Sequence, residues 1–450
     1  MISFEQFWQR FNRVEARTGA VTAKFSGVQL YPLLRTRIFY AVAQELGLFD
    51  NPHPNFSKQE LPEQLPALPA FESLAKVDAI VVPFRRRVAG GEPYSDRILE
   101  LLASQAKSVR VIDFAPFNTD GSLDTKALAD LDLDRLRAAF ADKFTEQVNK
   151  NLRITSREPA ERRWEKIIDG FEREFGIQLE KFQKYPKYLV RRTLVEQLGF
   201  AELFTALGAK ELYIVNAYSE PSIVLGARKA GLRVHEIQHG FISQFHPAYS
   251  YTRRFALRQK VASVPQRIAT WGSYWGTGVT LPAGTATDVT GPTIPFREYR
   301  AKALGENRIV PKQVLFTSQG AIGQELFAAA KATAVALPDH TVIYRLHPNE
   351  SLGDYELGKE APKNISVSHR DPIFLDLVSR SEYLIGAFST TLFEGLALGC
   401  KVLVLPLSGY ENVRPAIDAG DLTLIDSLDS LPALLAKAKP ATDPSKYYAN

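Results

Sequence analysis

Three segments place hydroxyl, imidazole and guanidinium groups at spacings suited to gripping a phosphate. In YLIGAFSTTLFEGLALG an apolar strand runs into Ser389, Thr390 and Thr391, and the helix that follows carries Glu394 before Gly399. A hydroxyl residue at a helix start caps the backbone, and with the free N–H groups of the first turn it also forms an anion site. Glu394, just over one turn further in, has the reach to meet ribose hydroxyls. In YRLHPNE, Arg345 and His347 are alternate residues, so on a strand they point to one face and aim two donors at one anion. Pro348 then stops the strand and keeps His347 at its lip. The third segment, KQVLFTSQG, brings Thr317 and Ser318 ahead of another helix.

Acid–base groups gather in a different stretch. In RVHEIQHGFISQFHPAYSY a strand ends at Gln238 and His239, with His246 and Tyr249 downstream, and the neighbouring strand ELYIVNA leads to Tyr218, Ser219 and Glu220. Six of the seven histidines lie between residues 235 and 369, a concentration that favours a site. His239 suits a general base or a phosphate contact, and Glu220 suits a base, a nucleophile or the group that orients His239. Glu236 shares a strand face with Gln238 and is an equally good carboxylate; Glu236, Gln238 and His246 stand as candidate substrate contacts. A zinc site at His235, His239 and His246 has no helical HExxH turn and no evident fourth ligand, so no metal is expected.

Such groups need strands to hold them. DAIVVPF and VRVIDF lack strict alternation, as strands buried on both faces do, and SDRILELLASQAK between them reads as a helix. Charged helical patterns fill residues 120 to 208, after which ELYIVNA, RVHEIQ and RIATWG return as strands. Beyond DVTGPTIPFREY comes a second series: KQVLFTS, HTVIYRLHP, ISVSH, YLIGAFS, KVLVLPL and LTLIDS, alternating mainly with helices. This pattern predicts an α/β protein of two Rossmann-like, doubly wound parallel-sheet domains facing a cleft. The first covers residues 1–296, with a helical preface, a Pro-rich connector and a helical insertion; the second covers 297–450. Ligands of such sheets bind beyond the carboxyl ends of the strands, so chemistry is expected there. The tail ATDPSKYYAN reads as poorly tied down.

Composition narrows the classes further. With 450 residues, 45% hydrophobic and 23% charged, the chain is an ordinary globular protein of two or three domains. One cysteine, Cys400, excludes an internal disulfide framework. The N-terminus lacks the apolar core of a signal peptide and no stretch is apolar enough to span a membrane, so a cytoplasmic protein is expected. The net charge of +5 is concentrated in Arg85–Arg87, in KFQKYPKYLVRR and in Arg253, Arg254, Arg258 and Lys260. Those clusters suit anionic substrates or peripheral contact with an acidic inner-membrane surface, and no motif directs them to nucleic acid. Neither GxxxxGK(S/T), a GxGxxG after the first strand, nor GxSxG is present, which removes support from nucleotide hydrolysis, hydride transfer and serine-hydrolase chemistry.

RLHPNE followed some forty residues later by FSTTLFEGLALG resembles the HP and Ser/Thr motifs of bacterial GT-B glycosyltransferases with cytidine-activated donors. These include sialyltransferases, polysialyltransferases, capsule Kdo transferases and CDP-glycerol polymerases. The resemblance implies that His347, Ser389 and Thr390 bind the nucleotide phosphate; Thr390 stands where many relatives have a second Ser. HEIQHGFISQFHPAYSY, with FSGVQLYPLLRTRIFYAV and TWGSYW, resembles surface-polysaccharide and lipopolysaccharide transferases. The expected activity is sugar transfer from a nucleotide-activated donor, CMP-linked Kdo or sialic acid, to a growing glycan or lipid-linked acceptor. The nucleotide contacts would be Ser318, Arg345, His347, Ser389, Thr390 and Glu394, with Glu220 and His239 catalytic. No cofactor beyond the donor is expected. CDP-glycerol transfer, nucleotide-sugar epimerisation and a non-catalytic glycan- or nucleotide-binding subunit are the alternatives.

Overall fold

The computed structural model describes residues 2–48, 68–83, 108–113, 131–154, 157–256, 258–292, 294–306, 308–320, 322–347, 350–369 and 372–449. The expected helix SDRILELLASQAK, the Arg85–Arg87 cluster and part of the Pro-rich connector lie outside them.

The first sheet contains β3 (Ala79–Val82), β4 (Val109–Asp113), β5 (Leu131–Asp132), β6 (Glu211–Val215), β7 (Arg233–Ile237), β8 (Arg267–Thr270) and β9 (Ala286–Val289). Its order is β5-β4-β3-β6-β7-β8-β9, and every pairing is parallel. The second contains β10 (Val310–Thr317), β11 (Thr341–Arg345), β12 (Ile365–Ser368), β13 (Ser381–Gly386), β14 (Lys401–Val404) and β15 (Thr423–Leu424). Its order is β12-β11-β10-β13-β14-β15, again all parallel, with helices α7 (Ile294–Gly305), α8 (Gly323–Ala336) and α9 (Phe374–Arg380) leading into β10, β11 and β13. The fold is therefore the expected two-sheet α/β architecture. Two strands of these sheets were not foreseen: β5 is only two residues long, and β9 (ATDV) is an edge strand with no apolar run.

Each sheet reverses direction once. From β3 the chain moves outward to β5, then returns to β6 on the other side of β3; from β10 it moves out to β12 and returns to β13. Adjacent loops therefore diverge at β10/β13, opening the crevice where open parallel sheets hold ligands.

Helices α1 (Phe4–Thr18) and α2 (Leu30–Glu45) flank a small hairpin, β1 (Lys24–Phe25) with β2 (Val28–Gln29). Ser3 and Gln6 form a reciprocal capping box that starts α1. This preface does not stand apart. Phe7, Phe11 and Phe39 share one core with Trp164 and Phe171 of α4 (Arg157–Phe175), part of the insertion, and with Phe245 and Tyr251 from the loop after β7. The insertion also contains α3 (Leu133–Ile154) and α5 (Lys187–Leu207), which pack on the first sheet with α6 (Pro221–Lys229).

The C-terminal tail is firmly held, contrary to the sequence reading. Tyr447 and Tyr448 are buried; the Trp275 indole donates to Tyr447 O at 2.7 Å, and Tyr448 stacks on Trp271. The Tyr447 hydroxyl donates to Asp421 Oδ2 at 2.6 Å, so the tail ties the second sheet to the loops after β8. Two buried aromatic side chains, Tyr447 hydrogen-bonded to Asp421 and Tyr448 stacked on Trp271, outweigh the small polar residues around them.

Candidate functional site

At the β10/β13 crevice, Ser389 caps α10 (Thr390–Ala397), its hydroxyl accepting from Thr391 N at 3.3 Å. The Thr391 hydroxyl meets Thr317 Oγ1 at 3.1 Å, and the Phe388 N–H donates to Gln319 Oε1 at 3.1 Å. The loops leaving β10 and β13 are thus stitched together, which leaves Ser389 and Thr390 half-buried at the start of α10. Glu394 lies one turn along, also half-buried.

Ser318 sits beside them but is engaged inward. Its hydroxyl donates to Glu350 Oε1 at 2.8 Å and receives the Tyr344 hydroxyl at 2.8 Å. Glu350 also accepts from the Tyr355 hydroxyl and from His347 N at 2.6 Å. One carboxylate therefore sets the course of the chain that presents the exposed His347. The expected alignment of Arg345 with His347 resolves differently: the Arg345 guanidinium is buried and donates to Ser368 Oγ at 2.8 Å and Pro372 O at 2.9 Å, toward β12.

On the first sheet, Tyr218 follows β6 while His239, His246 and Tyr249 follow β7. Their rings form a cluster, with centroids 6.0 Å apart for Tyr218–His239, 5.6 Å for Tyr218–His246 and 4.7 Å for His246–Tyr249. The Tyr218 hydroxyl stands 3.5 Å from His239 Nε2. His246 Nδ1 accepts from Ala248 N at 3.1 Å, so the neutral ring carries its proton on Nε2. Close packing, with help from neighbouring His239 and Arg35, lowers the His246 pKa to about 3 and keeps the ring neutral.

Glu236 lies beneath this cluster, fully enclosed, accepting from the Tyr249 hydroxyl at 2.8 Å and Ala217 N at 3.1 Å. Burial raises its pKa to about 7 despite both hydrogen bonds. Gln238 is a bridge: its amide donates to Gly240 O at 3.0 Å and accepts from Trp271 N at 2.9 Å, joining the loops after β7 and β8. Glu220, at the start of α6, is bound by Arg137 of α3, which also faces Glu196 at 3.3 Å. Burial raises the Glu220 pKa, and the Arg137 charge opposes it. Its carboxylate is thus directed to the helical layer, while His239 faces the Tyr218 cluster.

The two sheets meet through these loops. The Ser243 hydroxyl, after β7, donates to Asn412 Oδ1, after β14, at 2.5 Å. Phe241 lies 5.8 Å from Phe393 of α10, centroid to centroid. Phe388 touches the preface core and both inner cores of the second half at once. Gly409 makes this fit possible: its φ of +92° disfavours any side chain, and a Cβ there would lie 2.8 Å from the Phe388 ring. Ser408 Oγ and Glu411 Oε2 on the same loop are buried without a hydrogen-bond partner.

Sequence reasoning missed Ser243, Phe388, Asn412, Glu350 and Glu411. Glu350 was visible as the end of RLHPNE; the others gain meaning only from the opposite half of the chain. Among the described residues no cluster of His, Cys, Asp or Glu could hold a metal ion, and no helix is long and apolar enough to cross a membrane.

No protein-family model matches the sequence, and no curated protein matches it. Among solved structures the chain is similar to MurG of Acinetobacter baumannii (13% identity, 80% of this chain and 91% of that one, TM-score 0.44). It is also similar to the UDP-GlcNAc 2-epimerase of Methanocaldococcus jannaschii (13% identity, 82% and 96%, TM-score 0.45). A third is the glycotransferase of kitacinnamycin (14% identity, 83% and 92%, TM-score 0.43).

Proposed function

We propose that this chain is a glycosyltransferase of the GT-B type that moves a sugar from a nucleotide-activated donor onto a growing bacterial surface glycan. The observation that carries the proposal is the meeting of hydroxyl-bearing Ser389 and Thr390, at one sheet's switch point, with loops from the strand ends of the other sheet, through Phe388 and the Ser243–Asn412 bond. The sequence motifs favour a CMP-linked donor, Kdo or sialic acid.

In this reading the donor phosphate lies against the start of α10, held by its first-turn N–H groups, by Ser389 and Thr390, and by His347 from the β11 loop. These donors stabilise the negative charge that develops as the bond from the anomeric carbon to the phosphate oxygen breaks. Glu394 takes the ribose hydroxyls, and Ser318 and Arg345 hold the loops in register. The acceptor hydroxyl meets the Tyr218–His239–His246 cluster. His239 removes its proton, and His246 donates a hydrogen bond from Nε2–H, which it retains at neutral pH. Glu220, already bound to Arg137, acts on the position of α6 and the Tyr218 loop. Protein donors supply the positive field, so no divalent ion or separate cofactor is required. The exposed Lys181, Lys184 and Lys187 beside Tyr188 would favour an anionic inner membrane, where lipid-linked acceptors reside.

The test is thermal stabilisation by CMP, CDP, UDP, GDP and dTDP, followed by incubation of the preferred donor with and without a glycan acceptor. Nucleotide release that depends on acceptor is the expected result. Alteration of the donor sugar without acceptor indicates an epimerase, and binding without donor consumption indicates a binding subunit; either outcome overturns the transferase reading.

A further inference from the structure

A second concave surface lies away from the sheet ends, between α1 and α4. Arg17, Thr18, Lys166, Gly170, Arg173 and Glu174 line a cavity of about 390 Å³. Three cations face one carboxylate, and that carboxylate is already taken. The Arg10 Nε donates to Glu174 Oε1 at 3.2 Å, a second Arg10 nitrogen donates to Glu174 O, and the guanidinium packs over Phe175. Arg10 and Glu174 therefore tie α1 to α4 at the edge of the aromatic core that the two helices share.

The remaining cations are not needed for that clamp. Arg13 and Arg17 stand 3.7 and 3.5 Å from Glu174, beyond a good hydrogen bond, with side chains 64% and 55% exposed. Arg17 makes one long contact, 3.4 Å, to Gly170 O and keeps most of its five N–H donors available. Lys166 and Arg173 have no carboxylate partner among the described residues, Arg173 bonding only the Asp169 carbonyl at 3.1 Å. Arg10, Arg13 and Arg17 follow one another at helical spacing on α1, where like charges three and four residues apart repel.

We propose that this cavity binds a phosphate-bearing ligand of headgroup size, with Arg17, Lys166 and Arg173 as its donors. Guanidinium forks pair with two phosphate oxygens at once, and the lysine adds a mobile point charge. The site is separate from the strand-end region and does not depend on the sugar-transfer reading. A soluble phosphate compound and a lipid headgroup present the same chemistry here, and the experiment separates them.

The probes are inorganic pyrophosphate, by calorimetry, and phosphatidylcholine vesicles with or without about 30 mol % phosphatidic acid, by sedimentation at low ionic strength. The full chain is compared with a variant carrying Arg17→Ser, Lys166→Ser and Arg173→Ser, and with a control carrying Lys359→Ser and Lys363→Ser on the other half. All three should melt alike, since the Arg10–Glu174 clamp is untouched. The cavity variant should bind about tenfold or more weakly while the control binds as the parent does. A loss confined to vesicles identifies a lipid headgroup, and a loss confined to pyrophosphate identifies a soluble ligand. Equal binding by parent and cavity variant, an equal loss in the control, or no binding of either probe by the parent overturns the proposal.

Discussion

The Ser243 hydroxyl donates to Asn412 Oδ1 at 2.5 Å, joining the loop after β7 to the loop after β14. Asn412 is oriented from its own side, because its amide nitrogen donates to Gly409 O at 2.8 Å. Ser243→Ala and Asn412→Ala should each lower unfolding free energy by about 1 kcal/mol, with a double variant costing less than the sum. Urea denaturation of the four proteins measures the coupling; strictly additive losses would show that the pair does not act as a unit.

His347 and Glu350 should separate binding from stability. His347→Ala is expected to weaken CMP binding by about 1 to 3 kcal/mol, the scale of a hydrogen bond to a charged group, with little change in melting temperature because the ring is exposed. Glu350→Ala should lower both, since Ser318, Tyr355 and His347 N lose their acceptor. Calorimetry showing unchanged CMP affinity in both variants would remove the β11 loop from the nucleotide site.

Gly409→Ala should disturb the same region from the other side. A side chain at φ +92° is strained, and its Cβ would press on the Phe388 ring. The expected destabilisation is about 1 to 3 kcal/mol, accompanied by weaker nucleotide binding as Phe388 drags Ser389. A variant with parental stability and affinity would show that Phe388 and the loop move without consequence.

Buried Glu236 and half-buried His246 give opposite pH dependences. Glu236 has a folded pKa of about 7 against an ordinary 4.5, so the native state holds a proton that the unfolded chain has released, and stability falls as pH rises through that window. His246 has a folded pKa of about 3 against 6.5, so its contribution is full above 6.5 and is lost as pH falls toward 3. Between pH 4.5 and 6.5 the two oppose each other. Glu236→Gln keeps an oxygen for Tyr249 and Ala217 N but removes the titration. In that variant stability should rise between those pH values, by up to about 1.4 kcal/mol per pH unit. Denaturation curves that stay parallel to the parent at each pH would count against the assignment.

Arg35 and Glu15 are both buried and share two hydrogen bonds, at 2.6 and 2.9 Å; Arg35 also donates to Ser250 O at 2.6 Å and to Pro247 O. The preface thereby holds the loop that carries His246 and Tyr249. Arg35→Met should cost about 3 to 5 kcal/mol by leaving Glu15 uncompensated, and adding Glu15→Gln should restore part of it. A melting temperature unchanged by Arg35→Met would refute this anchoring role.

The parallel sense of the strands was legible because both-face burial leaves short apolar runs such as AIVV, ELYIV and KVLV, and helical patterns alternating with strands call for right-handed parallel returns. The placement of Ser389 at a helix start was equally local, a matter of capping chemistry within a few residues. β9 escaped because an exposed edge strand needs no apolar signal, and the held tail escaped because its partners Trp271 and Trp275 lie far upstream.

Sequence by itself therefore determined the elements, their alternation and which loops carry hydroxyl and imidazole groups, all consequences of period, propensity and capping along a short stretch of chain. Tertiary structure decided which of those groups turn inward and which stay accessible: Arg345 toward β12, Glu220 onto Arg137, Gln238 between two loops, and the Tyr218–His239–His246 rings together. That choice depends on partners supplied by other elements, 23 residues away for Arg345 and Ser368, 83 for Glu220 and Arg137, and more than a hundred for Ser243 and Asn412 or Arg35 and Ser250. A side chain's direction follows from the lowest-energy pairing in the packed interior, and the chain's local pattern does not encode it.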